Sequence, residues 1–147
     1  MIRVTRRYEF SASHRLHAAS LTEEENRELY GKCNNPFGHG HNYVLEVSVR
    51  GPVDARSGRA VDPAALDRLV GERVIGAFDH KNLNHQVEAF ESIVPTTENL
   101  GLLIHDRLKQ AWHGEFPGPW PQLEKVRIAE TGRNIFEVDE TRNRKKS

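Results

Sequence analysis

Two runs of alternation constrain this chain more than any other feature. From Ile2 onward, Val4, Tyr8, Phe10 and Ala12 fall on one side of an extended chain and Arg3, Arg7 and Glu9 on the other. Only Arg6 breaks the pattern, and His14 ends the run on its apolar side. From His41 the alternation resumes, with Tyr43, Leu45, Val47 and Val49 inward and Asn42, Glu46, Ser48 and Arg50 outward, until Gly51-Pro52 stops it. A period of two is the signature of strands with one buried face, so both runs are predicted as strands lying on a common core.

What lies between and after them is mostly helical. Thr22-Glu23-Glu24-Glu25 has the form of a capping box, which predicts a short helix to about Tyr30. Asp62-Pro63 reads as an N-cap followed by proline at the first helical position, and Leu66, Leu69, Val70, Val74 and Ala77 then recur at helical spacing. Asp79 to His85 is polar and irregular. A further helix starts near Thr96-Thr97-Glu98, with Leu100, Leu103, Ile104, Leu108 and Ala111 as its apolar stripe, and the proline-rich segment after Gly114 ends it. Two more strands follow, Glu124 to Thr131 and Ile135 to Val138, around a turn at Gly132-Arg133-Asn134. The expected fold is α+β in the order β-β-α-α-β-β, one domain over residues 1–140 with a basic tail at 141–147.

Composition narrows the function. Of 147 residues 37% are hydrophobic and the formal net charge is zero, so the basic excess of a nucleic-acid binder is missing. Arg142, Arg144, Lys145 and Lys146 read as a solvated terminus. No run has the length of a membrane span, the start lacks a signal-peptide core, and there is one cysteine, so no intrachain disulfide. A cytoplasmic protein is expected. A mean hydropathy of −0.67 hints that some apolar strand surface is covered by other subunits.

The sharpest local feature is Gly38-His39-Gly40-His41. On a strand, residues i and i+2 share a face and lie ~6.6 Å apart, so two imidazoles can converge on one ion. His14 ends the apolar face of the strand expected to pair alongside. Three imidazoles with no carboxylate match a catalytic zinc site with an open position, and disfavour a non-haem iron oxygenase, which needs a carboxylate ligand. Cys33 lies six residues before His39 in a Gly-rich loop, where a nearby zinc or imidazolium would raise its thiolate fraction and make it a base or nucleophile.

Other polar residues carry weaker signals. Asp79 and His80 are adjacent, so they can act together only if their segment is irregular. Glu130 falls on the apolar face of its strand, where an unpaired carboxylate is costly; a ligand edge with two N–H donors would satisfy it. Glu98 at a helix start is favoured by the dipole in any case. His17, His85, His105 and His113 read as structural or solvent-facing.

These segments, taken together, resemble the 6-pyruvoyltetrahydropterin synthase family. The likeness rests on Phe10-Ser-Ala-Ser-His14-Arg-Leu16, Gly31-Lys-Cys33-Asn-Asn-Pro-Phe-Gly-His39-Gly-His41-Asn-Tyr43, Asp79-His-Lys-Asn-Leu83, Thr96-Thr-Glu98-Asn99 and Glu130-Thr131, in order across nearly the whole chain. The resemblance implies a T-fold (tunnelling fold) subunit, with three subunits closing a barrel and two trimers forming a homohexamer whose active sites lie at interfaces. It further implies Zn2+ on His14, His39 and His41, and Cys33 as the base. Asp79 and His80, from a neighbouring subunit, would complete a proton relay. Glu130 would anchor the pterin ring, with Thr96, Thr97 and Glu98 lining its pocket. Phe37 in the cysteine loop and Gly132-Arg133 in the last turn depart from the family pattern without touching these roles.

The implied activity is that of a lyase of tetrahydrobiopterin biosynthesis, converting 7,8-dihydroneopterin triphosphate to 6-pyruvoyltetrahydropterin with elimination of triphosphate. Within the family the alternative is a 6-carboxytetrahydropterin synthase of queuosine biosynthesis, which releases acetaldehyde. The five residues between Cys33 and His39 resemble the pyruvoyl-forming type. Outside enzymes, the alternative is a metal- or pterin-binding module without catalysis. Arg15 and Lys32 are candidates for the triphosphate by position only.

Overall fold

In a computed structural model, which describes residues 1–140, the two alternating runs become the long strands β1 (Ile2–His14) and β2 (His39–Gly51). They pair antiparallel over their whole length, Ile2 opposite Gly51 and His14 opposite His39. Next come α2 (Pro63–Val70), a π turn (Gly71–Ile75) and α3 (Gly76–Phe78). A two-residue β3 (Lys81–Asn82), a single-turn α4 (Leu83–Gln86) and the long α5 (Thr97–Glu115) follow. Strands β4 (Gln122–Ala129) and β5 (Ile135–Asp139) close the sheet, in the order β3-β1-β2-β4-β5. All pairings are antiparallel except β1 with β3. The tail at 141–147 lies outside the described residues.

The α+β arrangement read from the sequence holds, with β3 and the helical turns around it added. Helix α1 (Glu23–Tyr30) sits between β1 and β2, and its capping box forms: Thr22 Oγ1 accepts from Glu25 N–H and the Glu25 carboxylate accepts from Thr22 N–H. β2 starts two residues earlier than the apolar alternation indicates, because His39 and Gly40 already pair with β1.

One face of the sheet supplies Phe10, Ala12, Tyr43, Leu45, Val47, Val49, Val126 and Ile128 to the core. Leu66, Val70, Val74 and Phe78, and then Leu100, Ile104, Leu108 and Trp112, cover that face from the helices. The buried positions at 66, 70, 74 and 78 keep a spacing of four, longer than 3.6; the π turn's extra residue per turn keeps that stripe aligned with the sheet. Arg6, the residue out of pattern, is on the core-side face but is not stranded there. Its guanidinium makes two hydrogen bonds to Asp67 of α2, at 2.9 and 2.7 Å, and Tyr8 donates to the same carboxylate at 2.7 Å. No helix among the described residues is long and apolar enough to cross a membrane.

Candidate active site and metal centre

Strand parity and register build the site. Because His14 lies opposite His39 and Ala12 opposite His41, all three imidazoles leave the same face at one end of the β1–β2 ladder. Ring centroids are 4.7 Å apart for His14 and His39, 5.2 Å for His14 and His41, and 4.6 Å for His39 and His41. Tyr43, two residues beyond His41 on that face, closes the cluster below, its ring 5.7 Å from that of His41 and stacked on Phe10 at 5.1 Å.

The His14 ring is 1% exposed, and its Nδ1 lies 2.8 Å from the carbonyl oxygen of Pro95. That acceptor fixes the proton on Nδ1 and leaves the Nε2 lone pair for a metal. His14 Nε2 is 3.1 Å from His39 Nε2. Burial, chiefly, holds the His14 imidazole below its ordinary pKa, and the other two histidines push the same way; the Pro95 bond and the Glu130 charge oppose them. His39 is lowered for a similar reason, burial first and then His41. Neutral rings are the form that ligates a cation.

One expectation is corrected here. The histidine set was expected to lack a carboxylate, yet Glu130 joins it. Strand β4 ends at Ala129, and Glu130 N–H donates to Asn134 O at 3.0 Å across the turn. The Glu130 side chain continues the core-facing parity of Val126 and Ile128 and places Oε1 2.9 Å from His41 Nε2 and 3.5 Å from His14 Nε2. The ligand atoms of His14, His39, His41 and Glu130 all lie within 4.8 Å of one another. Lack of a carboxylate therefore no longer separates this site from an iron oxygenase. The set still carries one imidazole more than the two-histidine triad of those enzymes.

The donors fit a metal by two observations. His41 Nε2 is buried and, despite its closeness to Glu130, has no hydrogen bond of acceptable direction. In addition, the 3.1 Å between His14 Nε2 and His39 Nε2 is near the ~3.3 Å edge of a tetrahedron with metal–nitrogen bonds of about 2.0–2.1 Å, and Glu130 Oε1 stands 2.9 Å from His41 Nε2 and 3.5 Å from His14 Nε2.

Cys33 lies in a 3₁₀ turn, Gly31–Asn34, tied to the residues just after His14. Leu16 N–H donates to Cys33 O at 2.8 Å, Arg15 Nε to Asn34 O at 3.0 Å, and the buried Asn34 donates through Nδ2 to Leu16 O at 2.8 Å. The thiol is partly buried, and burial together with the Glu130 charge pushes its pKa up. Burial lowers the pKa of His14 and His39, which works against an imidazolium beside the thiol; a bound cation would act the other way.

The remaining predicted residues divide. Thr97 is 3% exposed and abuts the Tyr43 hydroxyl, and neither oxygen has a properly directed hydrogen bond. Thr96 is the N-cap of α5, its Oγ1 accepting from Asn99 N–H at 3.1 Å. Glu98 is exposed in the first turn of that helix. Asp79 and His80 do not join the cluster within this chain. They lie along the free edge of β1 at Ser11, and His80 borders a cleft with Ser11, Ser13 and Asn42, whose parity is opposite to that of the metal ligands. Arg15 lines a separate cleft with His17, Phe37 and His85, and Lys32 is exposed.

Four contributors escaped the sequence reading. Pro95 orients His14 through its backbone and leaves no local signature. Asn26 and Asn34 are buried and bond backbone groups of the Arg15–Thr22 loop; Asn34 had only the signal of an amide among turn residues, and Asn26, inside α1, had none. Tyr43 was assigned to the core, although its parity with His39 and His41 already placed it under the site.

Known proteins similar to this chain identify its family. A family model described as 6-pyruvoyl tetrahydropterin synthase matches residues 3–141. A 6-pyruvoyl tetrahydrobiopterin synthase of Poecilia reticulata is 45% identical over 132 residues, 90% of this chain and 86% of that protein. A solved structure of the Caenorhabditis elegans 6-pyruvoyl tetrahydropterin synthase superposes with a TM-score of 0.87 at 41% identity, covering 95% of this chain and 96% of that one. By contrast, a putative 6-carboxy-5,6,7,8-tetrahydropterin synthase of Archaeoglobus fulgidus matches over 72 residues, 49% of this chain and 56% of that protein, at 40% identity. With a matching family model over nearly its whole length and close relatives covering nine-tenths of it, this chain belongs to the 6-pyruvoyl tetrahydropterin synthase family.

Proposed function

We propose that the chain is a metal-dependent lyase that converts 7,8-dihydroneopterin triphosphate to 6-pyruvoyltetrahydropterin and triphosphate. The observation that carries this reading is the convergence of three imidazoles, one with its tautomer fixed by Pro95, with Glu130 beside them and the Cys33 turn tied to the residues just after His14. His14, His39 and His41 would hold the ion, and an imidazole-rich tetrahedral set favours zinc. A bound Zn2+ supplies Lewis acidity to the hydroxyls of the substrate side chain.

Cys33 takes carbon-bound protons from that side chain. The side chain is oxidised as the pterin ring is reduced, and triphosphate departs with its bonding electron pair. Glu130 turns from His41 to the pterin, accepting two N–H bonds from the ring edge, while Thr97 and Thr96 border the ring and Glu98 approaches from the helix start. Tyr43 and Thr97 exclude water beneath the ring. His80 with Asp79 returns protons to a site on a neighbouring subunit, since within one chain they lie beside the opposite-parity face of β1.

An assembly of trimers paired into a hexamer suits this division. The sheet ends in two free edges, β3 and β5, and Phe37, Leu102 and Ile135 are exposed apolar side chains. The test is identification of the product by mass spectrometry after incubation of the metal-loaded protein with 7,8-dihydroneopterin triphosphate. The pyruvoyl product supports the reading. A carboxy product with acetaldehyde assigns the chain to the other branch of the family, and unchanged substrate makes it a binding module.

A further inference from the structure

The free edge of β1 carries an unusual junction. At Ser11, where a neighbouring strand would supply a carbonyl and an amide, the chain supplies one side chain and one backbone group. Asp79 Oδ1 accepts from Ser11 N–H at 2.9 Å, and His80 N–H donates to Ser11 O at 2.6 Å. True strand pairing begins only at the next residues, Ala12 with Lys81 and Ser13 with Asn82. His80 itself has φ +59°, the one non-glycine residue in the left-handed region among the described residues, and its side chain is 83% exposed. That conformation is uncommon outside glycine, though histidine is among the residues that adopt it more readily, and the local contacts must favour it. The two bonds at Ser11 hold the segment there, with Asp79 N–H on Ile75 O before it and the pairing of Lys81 and Asn82 after it. Ser11 is in turn fixed across the ladder, its Oγ donating to Asn42 Oδ1 at 2.6 Å, next to the ligand His41.

We propose that Asp79 is a positioning residue: its carboxylate replaces a strand carbonyl on Ser11 N–H and thereby locks His80 left-handed, with the imidazole projected off the sheet edge. Oδ1 is committed to the backbone, and Oδ2 lies 3.5 Å from His80 Nε2. The carboxylate therefore shapes the segment before it can pass a proton. The assignment rests on the reading of His80 as an acid–base group in the lyase reaction, and it changes the part Asp79 plays there.

The test compares Asp79→Asn, Asp79→Ala, His80→Ala and the double variant Asp79→Ala/His80→Ala in the metal-loaded full chain. An asparagine oxygen accepts the same Ser11 N–H but carries no charge. Asp79→Ala should lower kcat about 100-fold through misplacement of His80, with KM little changed. Asp79→Asn should recover at least about tenfold of that loss, and the double variant should be no slower than His80→Ala alone. Hydrogen exchange at the Ser11 amide should be slow in the wild type and in Asp79→Asn and fast in Asp79→Ala. If Asp79→Asn is as slow as Asp79→Ala while its Ser11 amide stays protected, the charge itself is needed and the assignment is overturned. Free exchange of that amide in the wild type overturns it as well. A wild type that forms no product contradicts the lyase reading instead, and the amide exchange still decides whether the anchor exists.

Discussion

Protonation of the metal-free site should cost the native state stability, and the buried His14 is the ring through which to test it. Its ring is 1% exposed, donates through Nδ1 to Pro95 O and faces His39 Nε2 at 3.1 Å. A second proton would bury a charge with a neighbouring imidazole in its path, which is why burial depresses its pKa. An unfolded histidine titrates at about 6.5. Above that value the ring is neutral in both states and contributes nothing to pH dependence. As pH falls below it the unfolded chain binds a proton that the native site resists, so stability is lost with falling pH. Between about pH 7 and about pH 5.5 this linkage amounts to at most ~1.2 kcal/mol for one such imidazole. The assay is urea unfolding at the two pH values, in chelator and at fixed protein concentration, of the wild type and of His14→Gln, which fills a similar volume without titrating. The wild type should lose more than the variant over that interval, by no more than that bound. Equal losses would show that the native His14 ring protonates as freely as an unfolded one, and the neutral-imidazole picture would fail.

Three further outcomes follow from single side chains. Cys33→Ala should lower kcat by about 10²–10⁴-fold while metal content is unchanged, checked by turnover beside metal analysis. Gly38→Ala places a Cβ at φ +72° and 3.1 Å from His14 O, so unfolding experiments should register a loss of about 1–2 kcal/mol together with weaker metal retention. Gly101 is a helical residue whose added Cβ would meet only methyl groups of Ile128 and Val138, at 3.4 and 3.5 Å. Gly101→Ala should therefore stabilise the chain by about 0.5–1 kcal/mol in the same measurement.

The parts of the site that follow from parity were legible in the sequence. Alternation alone put His14, His39 and His41 on one face, and the β1–β2 register then brought them to one end of the ladder. The caps Thr22, Asp62 and Thr96 were equally legible, because a cap is a local bond between a side chain and an amide two or three residues on. What escaped was set by contacts distant in sequence. The Pro95 carbonyl lies 81 residues from His14, and a backbone acceptor has no residue preference to betray it. Arg6 was visible as an exception, but its partner Asp67 emerges only once α2 packs on the sheet. Glu130 was rightly placed on the core-facing side of its strand. That it meets His41 depends on how far β4 extends along β2, and no local pattern encodes that.

The account stands or falls on whether a metal sits among the three imidazoles. X-ray absorption on the dialysed protein, with metal content measured on the same sample, addresses this directly. About one zinc per chain with three imidazole nitrogens at about 2.0–2.1 Å is the predicted result, lost in His39→Ala and kept in Cys33→Ala. A protein without metal, or an ion whose spectrum shows a sulfur donor at about 2.3 Å, would contradict it.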